Sequence, residues 1–284
     1  MSMSIQKVIE ALKRQKEVKA IAIIGSHARG YADEYSDYDI AAFVSKLKPK
    51  EERENLWKEL GLKIRITPAD DIVSLLLNGK KVDVSYKTID EVEFWLKKLE
   101  EGVDWFVATV SIHLQNIKIV YDPSGLLNKW KQRIKKYPKK LKCTRVLKLQ
   151  AVVSLFENLH VALKREDWVY VESKLHEALQ YILQAIYALN ETYHADLIKW
   201  LRKDVQNFKI KPMNLWERVV AISKLGLTDE NELKRKLILT KELLLETYKL
   251  CKEHLPELRM REELDNPKWF DEMIEKALNV LRSK

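Results

Sequence analysis

Two aspartates, Asp37 and Asp39, stand one residue apart at the start of an apolar run that extends to Val44. In a strand, residues i and i+2 point to one face, so both carboxylates are predicted to project together. Two like charges this close favour a cation between them. Oxygen ligands of this kind suit Mg²⁺, which also binds water and phosphates. The pair therefore indicates a divalent metal site; a solvated turn before a strand is the simpler alternative.

A Gly-Ser pair, Gly25 and Ser26, precedes the aspartates and follows the apolar run from Ile21 to Ile24. The apolar run is typical of a buried strand. A small Gly-Ser turn after it leaves backbone N–H groups able to face an anion at the start of a short helix. Together with a metal site, this turn points to phosphate chemistry.

A third carboxylate, Asp83, lies in a second alternating run from Lys81 to Tyr86, which follows the turn residues Asn78 and Gly79. The alternation places Asp83 on one face with Lys81 and Ser85. A solvent-facing strand residue is the simpler interpretation. The functional interpretation is a cluster of three carboxylates that holds divalent ions, orients a triphosphate and lowers the pKa of an attacking hydroxyl.

The Gly-Ser pair, the ten-residue gap, the Asp-x-Asp pair and the later strand aspartate resemble the nucleotidyltransferase superfamily that includes DNA polymerase beta. The kanamycin-type and minimal nucleotidyltransferases are the most similar branches. The resemblance covers residues 18–90 and extends more loosely to residue 136. It implies that Gly25 and Ser26 contact the β- and γ-phosphates of an NTP. It also implies that Asp37 and Asp39 bind Mg²⁺ and that Asp83 completes the site as a ligand, a proton acceptor or both.

Two further residues are weaker site candidates. Arg29 could contact phosphate, or it could be a solvated helix residue that pairs with Asp33 one turn later. Kanamycin-type enzymes place a general base in their helical domain, and this resemblance makes Glu172 or Glu177 a candidate base. Ordinary solvent-facing charges are the alternative for both glutamates.

The order of predicted elements indicates an α+β protein with a small mixed-sheet nucleotidyltransferase domain, residues 1–138, and an all-helical bundle, residues 139–284. The second domain would bind the acceptor substrate or a partner. Strands are predicted at 19–25, 37–44, 62–66, 80–87 and 117–121. Helices are predicted at 4–15, 26–33, 51–60, 88–100, 125–136, 142–164, 166–191, 194–206, 213–224, 229–254 and 266–282.

The net charge of +9 is concentrated in residues 118–148, which contain eleven basic residues and one acid, Asp122. This basic block is typical of a solvated helix face, but it also suits steering of an anion or contact with RNA.

No transmembrane helix is expected, because uncharged apolar runs stay short. Cys143 and Cys251 have no metal-ligand spacing, which fits a reduced cytoplasm. The oligomeric state is open.

The resulting hypothesis is a Mg²⁺-dependent enzyme that moves NMP, with AMP favoured, from an NTP to a hydroxyl acceptor. The acceptor could be a small molecule, a protein or RNA. The alternative from another class is a non-catalytic protein of the same fold that binds nucleotide or a partner.

Overall fold

The computed structural model describes residues 5–65, 69–103, 113–193, 199–224 and 229–283. These residues form two compact units: the first ends at Lys136, and the second begins at Tyr137 and also includes Gly102. The first unit contains a sheet with helices, and the described part of the second contains only helices. The predicted α+β class is therefore confirmed.

The first unit is built on six strands in the spatial order β3-β4-β5-β2-β1-β6. Strands β2 and β5 pair in parallel, whereas the other neighbouring pairs are antiparallel. The strands are β1 (Val18–Ile24), β2 (Tyr38–Val44), β3 (Lys63–Arg65), β4 (Ile72–Leu77), β5 (Lys80–Thr88) and β6 (Lys118–Tyr121). The helices of this unit are α1 (Ile5–Lys13), α2 (Gly25–Arg29), α3 (Lys50–Glu59), α4 (Ile89–Glu100) and α5 (Leu126–Lys135).

The two faces of the central strands have different surroundings. On one face, Ile40 and Val84 join a core with Leu12 of α1 and Trp57 of α3, and all four side chains are fully buried. Strand alternation turns Asp39 and Asp83, the neighbours of these residues, to the opposite face. One face of the sheet is thus packed as a core, and the other carries the predicted site.

The second unit is an all-helical bundle whose apolar residues form one cluster. The long helix α8 is at its centre, and its apolar side chains at helical spacing from Leu175 to Leu189 are buried. Its helices are α6 (Lys139–Leu147), α7 (Gln150–Lys164), α8 (Trp168–Leu189), α9 (Leu201–Asn207), α10 (Leu215–Ser223), α11 (Glu230–His254), a 3₁₀ turn (Glu262–Asp265) and α12 (Pro267–Arg282).

One stretch of this unit, residues 139–164, is long and apolar enough by composition to cross a membrane. Half of its most apolar window is buried inside the unit, and the stretch consists of two helices, α6 and α7. The buried face of α7, which includes Phe156, packs into the bundle core. A core helix of a globular domain accounts for this apolar composition.

Four element predictions need correction. Strand β4 was not predicted. It pairs with β5 through a two-residue turn at Asn78 and Gly79, and both turn residues have positive φ, as a type I′ hairpin requires.

The helix predicted at 26–33 ends at Arg29, because Gly30 adopts the left-handed conformation and its N–H donates a hydrogen bond to the Ser26 carbonyl. The helix predicted at 142–164 is two helices. The helix predicted at 194–206 begins at Leu201 within the described residues, and residues 194–198 lie outside them.

Candidate active site

The end of β1 brings the backbone of Gly25 against the carboxylate of Asp39. Gly25 has φ +66°, and a Cβ added there would lie 2.2 Å from Asp39 Oδ2. Only glycine therefore fits this position, for both its conformation and its proximity to the carboxylate. The next residue, Ser26, lies in the first turn of α2 and is only 6% exposed. The predicted Gly-Ser turn thus lies directly beside the Asp-x-Asp pair.

The three predicted carboxylates meet on one face of the sheet. Asp39 of β2 and Asp83 of β5 are direct partners in the parallel register. Asp37 directly precedes the first residue of β2. One carboxylate oxygen from each of the three aspartates lies within 4.8 Å of the others, and all three side chains are half-buried. Residues separated by up to 46 positions in the sequence therefore form one compact acidic cluster.

Lys81, which strand alternation places on the same face as Asp83, reaches into this cluster. The Lys81 Nζ atom lies 2.6 Å from Asp83 Oδ2 and 3.3 Å from Asp37 Oδ2. Partial burial by itself would lower the pKa of Lys81, but the hydrogen bonds and charges of Asp83 and Asp37 raise it overall. Lys81 is therefore a cation held between two of the three carboxylates.

The cluster suits a hard divalent cation. All its donors are carboxylate oxygens, which are the ligands that Mg²⁺ prefers. Asp83 Oδ1 is buried and accepts no hydrogen bond from the described residues. A buried carboxylate oxygen without a partner is costly unless a cation or donor satisfies it. Asp37, Asp39 and Asp83 would thus hold the ion, and the Gly25 backbone leaves room for the Asp39 carboxylate beside it.

A cavity of about 360 Å³ adjoins the cluster inside the first unit. Asp39, Asp83 and Ser85 line its sheet side. Apolar walls come from Ile24, Ala41, Phe43, Ile72, Val92 and Leu114. Such a concave, largely apolar space with a few polar groups is typical of a small-ligand site. It lies where a substrate group next to the carboxylates would fit.

The far end of this cavity carries an ion pair and a histidine. The Lys87 ammonium contacts the Asp71 carboxylate, and His113 lies in the same lining. Burial, with the nearby charges of Arg29 and Lys87, lowers the pKa of His113 to about 4. His113 is therefore neutral at pH 7 and offers the cavity a hydrogen-bonding group without charge.

Arg29 lies at the end of α2, with its guanidinium carbon 4.5 Å from the centre of the Tyr31 ring. Its charge acts on His113 of the cavity. The alternative for Arg29 is pairing with Asp33. The Asp33 carboxylate accepts a hydrogen bond from the Ser36 hydroxyl at 2.8 Å. The contact of Arg29 with phosphate stays a prediction.

His27 of α2 is a second histidine near the cluster, and its position there is not evident from the sequence. Its ring stacks on Tyr38 with centroids 4.0 Å apart. Burial lowers the pKa of His27; the Lys80 charge adds to this effect, and Asp37 opposes it. The stacked pair joins α2 to the start of β2, so it helps position both the Gly-Ser turn and the aspartates.

Glu172, the candidate base, belongs to the second unit and pairs there with a buried lysine. Its Oε1 atom lies 3.2 Å from Nζ of Lys236, a side chain only 2% exposed. The neighbouring candidate, Glu177, contacts Lys174 and accepts a hydrogen bond from Tyr181 at 2.7 Å. Both glutamates thus have partners within their own helical unit, and a base role for Glu172 stays a prediction.

Much of the basic block, residues 118–148, is used for internal contacts. Arg133 pairs with Glu93 and Glu100 in the first unit. In the second unit, Lys139 pairs with Glu257, and Lys142 with Glu191. Arg145 is buried and bonds the Tyr137 hydroxyl, and Lys148 bonds Gln184. The block therefore offers fewer uncommitted charges to RNA than its composition indicates.

Family models match two parts of the chain. Residues 6–95 match the family described as polymerase beta, nucleotidyltransferase. Residues 108–201 match a domain of unknown function, DUF4037. No curated protein matches the chain.

Three solved structures are similar to the chain at low identity. A nucleotidyltransferase-like protein from Exiguobacterium sibiricum has 13% identity and a TM-score of 0.44, over 97% of this chain and 87% of that one. The spectinomycin adenyltransferase AAD(9) of Enterococcus faecalis has 15% identity and a TM-score of 0.35, over 98% of both chains. The CCA-adding enzyme of Thermotoga maritima has 13% identity and a TM-score of 0.27, over 93% of this chain and 68% of that one.

The family match at residues 6–95 includes the Gly-Ser turn, the Asp-x-Asp pair and Asp83. These are the residues that the fold brings together on one face of the sheet. Residues 6–95 of this chain therefore match the family described as polymerase beta, nucleotidyltransferase, over the segment that carries the acidic cluster.

Proposed function

We propose that the chain transfers NMP, with ATP as the favoured donor, to a hydroxyl acceptor in a Mg²⁺-dependent reaction. The observation that carries this proposal is the approach of Asp37, Asp39 and Asp83, with oxygens within 4.8 Å of one another. This cluster lies beside the glycine that must approach Asp39. A divalent ion bound there would neutralise charge on the phosphates and lower the pKa of the attacking hydroxyl.

The chain's own residues would align the substrates. Gly25 and Ser26 would contact the β- and γ-phosphates, and Arg29 is a further candidate for phosphate contact. The acceptor oxygen forms a bond to the α-phosphorus as the bond from that phosphorus to pyrophosphate breaks. Pyrophosphate leaves with the electron pair of the broken bond. In-line positioning of this kind supplies much of the rate of phosphoryl-type transfers.

The proton of the acceptor hydroxyl needs a base within hydrogen-bond reach. Asp83 is the favoured acceptor of this proton, because Asp83 lines the cavity in which a substrate group would lie. Glu172 is the second candidate. The ion pair of Glu172 with Lys236 gives Glu172 a structural role as well, and variants can separate the two roles.

The acceptor is proposed to present a ring or other flat, mostly apolar group. The support is the cavity beside Asp39 and Asp83, whose walls include Phe43, Val92 and Leu114. The internal pairing of Arg133, Lys139 and Lys142 makes the basic block a weaker argument for RNA.

The test is transfer of label from α-³²P-labelled NTPs to a panel of aminoglycosides, tRNA and protein acceptors with Mg²⁺. Wild type is expected to label an acceptor and release pyrophosphate, and Asp37→Asn and Asp39→Asn are each expected to lose this activity. Nucleotide binding without label transfer to any acceptor would favour the non-catalytic alternative. Equal transfer by wild type and both variants would exclude the carboxylate mechanism.

A further inference from the structure

The Lys81 ammonium lies between Asp37 and Asp83, two of the three carboxylates that would hold a divalent ion. Strand β5 places Lys81 and Asp83 two residues apart on one face, so the lysine stem runs beside the aspartate. Its Nζ atom contacts Oδ2 of both Asp83 and Asp37, at 2.6 and 3.3 Å. Lys81 thus contacts one oxygen on each of two carboxylates that would hold a metal.

The charge of the cluster explains why a cation lies there. Three carboxylates with oxygens inside 4.8 Å repel one another, and repulsion at this distance is strong in a partly buried site. Lys81 offsets one of the three negative charges and leaves a site that is still strongly acidic. The Lys81 side chain is 38% exposed, so its flexible stem has space to turn toward solvent.

We propose that Lys81 is an exchangeable counter-ion of the metal site. It holds Asp37 and Asp83 together when no divalent ion is bound, and it is displaced when the ion binds. Because the ion must displace the ammonium, Lys81 weakens metal affinity and sets the metal concentration at which the site fills. This inference rests on the proposed metal-dependent function.

The test is Mn²⁺ binding measured by isothermal titration calorimetry, without nucleotide, on the full chain. Lys81→Met removes the ammonium and keeps much of the stem volume. In this variant the partly exposed ion pairs of Lys81 with Asp37 and Asp83 no longer compete with the metal ion. Lys81→Met is therefore expected to bind Mn²⁺ about tenfold more tightly than wild type. Lys81→Arg keeps a cation and is expected to bind about as weakly as wild type. Lys63→Met, on the exposed edge strand β3, makes the same change in net charge and is expected to leave affinity unchanged.

A melting experiment supplies the second readout. In EDTA, Lys81→Met is expected to melt below wild type, because the carboxylates lose their counter-ion, and added Mn²⁺ is expected to close this gap. Lys81→Gln is a second uncharged variant if Lys81→Met folds poorly.

Two outcomes would overturn the proposal for Lys81. One is unchanged or weaker Mn²⁺ binding by Lys81→Met while wild type binds the ion. The other is an equal gain in affinity in Lys63→Met, which would reduce the effect to net charge. Wild type that binds no Mn²⁺ would instead contradict the proposed function itself, so the two failures are distinguishable.

Discussion

The carboxylate of Asp39 occupies the space that a side chain at position 25 would need. Its Oδ2 atom lies 2.2 Å from the position of an added Cβ on Gly25, and Gly25 itself has φ +66°. The Gly-Ser turn and the Asp-x-Asp pair are therefore one structural unit, although ten residues lie between Ser26 and Asp37.

Gly25→Ala is expected to abolish nucleotidyl transfer and to weaken Mn²⁺ binding at least tenfold, because its Cβ would displace the Asp39 carboxylate. The measurements are label transfer and Mn²⁺ titration. Gly30→Ala is the matched control: Gly30 has φ +71°, but nothing lies within 4 Å of an added Cβ. The control is expected to lose about 1 kcal/mol of stability from backbone strain and to retain metal binding. Equal metal affinity in Gly25→Ala and wild type would contradict the geometric argument.

Ser85→Leu is expected to reduce kcat/KM at least tenfold and to leave Mn²⁺ affinity within about twofold of wild type. Ser85 lines the cavity beside Asp83, so the larger side chain would fill space that a substrate group needs. Steady-state kinetics of label transfer test this. Ser45→Leu makes the same change at an exposed position after β2 and is expected to keep full activity. Full activity of Ser85→Leu would show that the cavity is not used by substrate.

Glu172→Ala is expected to lower the free energy of unfolding by about 2 kcal/mol, because the buried Lys236 ammonium loses its carboxylate partner. The double variant Glu172→Ala/Lys236→Met is expected to recover most of this loss, since no unpaired charge is then buried. Urea unfolding measures both. Transfer activity tests the other proposed role of Glu172, that of general base. A stable double variant without transfer activity would identify Glu172 as the base. Equal destabilisation of the single and double variants would contradict the counter-ion role.

The neutral state of His113 predicts a pH dependence of stability. Burial and the charges of Arg29 and Lys87 lower its pKa to about 4 in the folded chain, below the value of about 6.5 for an unfolded histidine. Its contribution to stability is therefore complete above pH ~6.5 and is lost as the pH falls toward 4, because only the unfolded chain binds the proton.

His113→Gln is thus expected to lose less stability than wild type between pH 7 and pH 4.5, measured by urea unfolding at each pH. His254→Gln, at an exposed position at the end of α11, is the control and is expected to follow wild type. A His113→Gln variant with the same pH dependence as wild type would contradict the assignment of a neutral histidine.

The chemical motif could be predicted from the sequence because short-range rules fix it. Strand alternation determines which side chains share a face with Asp83, and the turn residues mark where the strands begin. The capping box of α4 is a further case, with Thr88 and Glu91 bonded as their spacing indicates. Such signals involve residues that are neighbours in the chain.

The features that were missed depend on distant contacts or ambiguous patterns. Strand β4, Ile72–Leu77, is a short apolar run without clean alternation, which periodicity alone does not distinguish from a buried helix segment. The break between α6 and α7 has no glycine or proline to mark it. The contact of Lys81 with Asp37 joins positions 44 apart, so it follows from the parallel pairing of β2 and β5. His113 and Asp71 likewise come together in the cavity lining only when the sheet is folded.

The central claim is that Asp37, Asp39 and Asp83 bind one divalent ion that aligns a nucleotide for transfer. An anomalous difference map from crystals soaked with Mn²⁺ and a non-hydrolysable ATP analogue tests it most directly. The expected result is a peak within about 2.3 Å of an oxygen of each aspartate, with the polyphosphate along Gly25 and Ser26. Ordered nucleotide without a peak between these three carboxylates, or a peak at another site, would contradict the account.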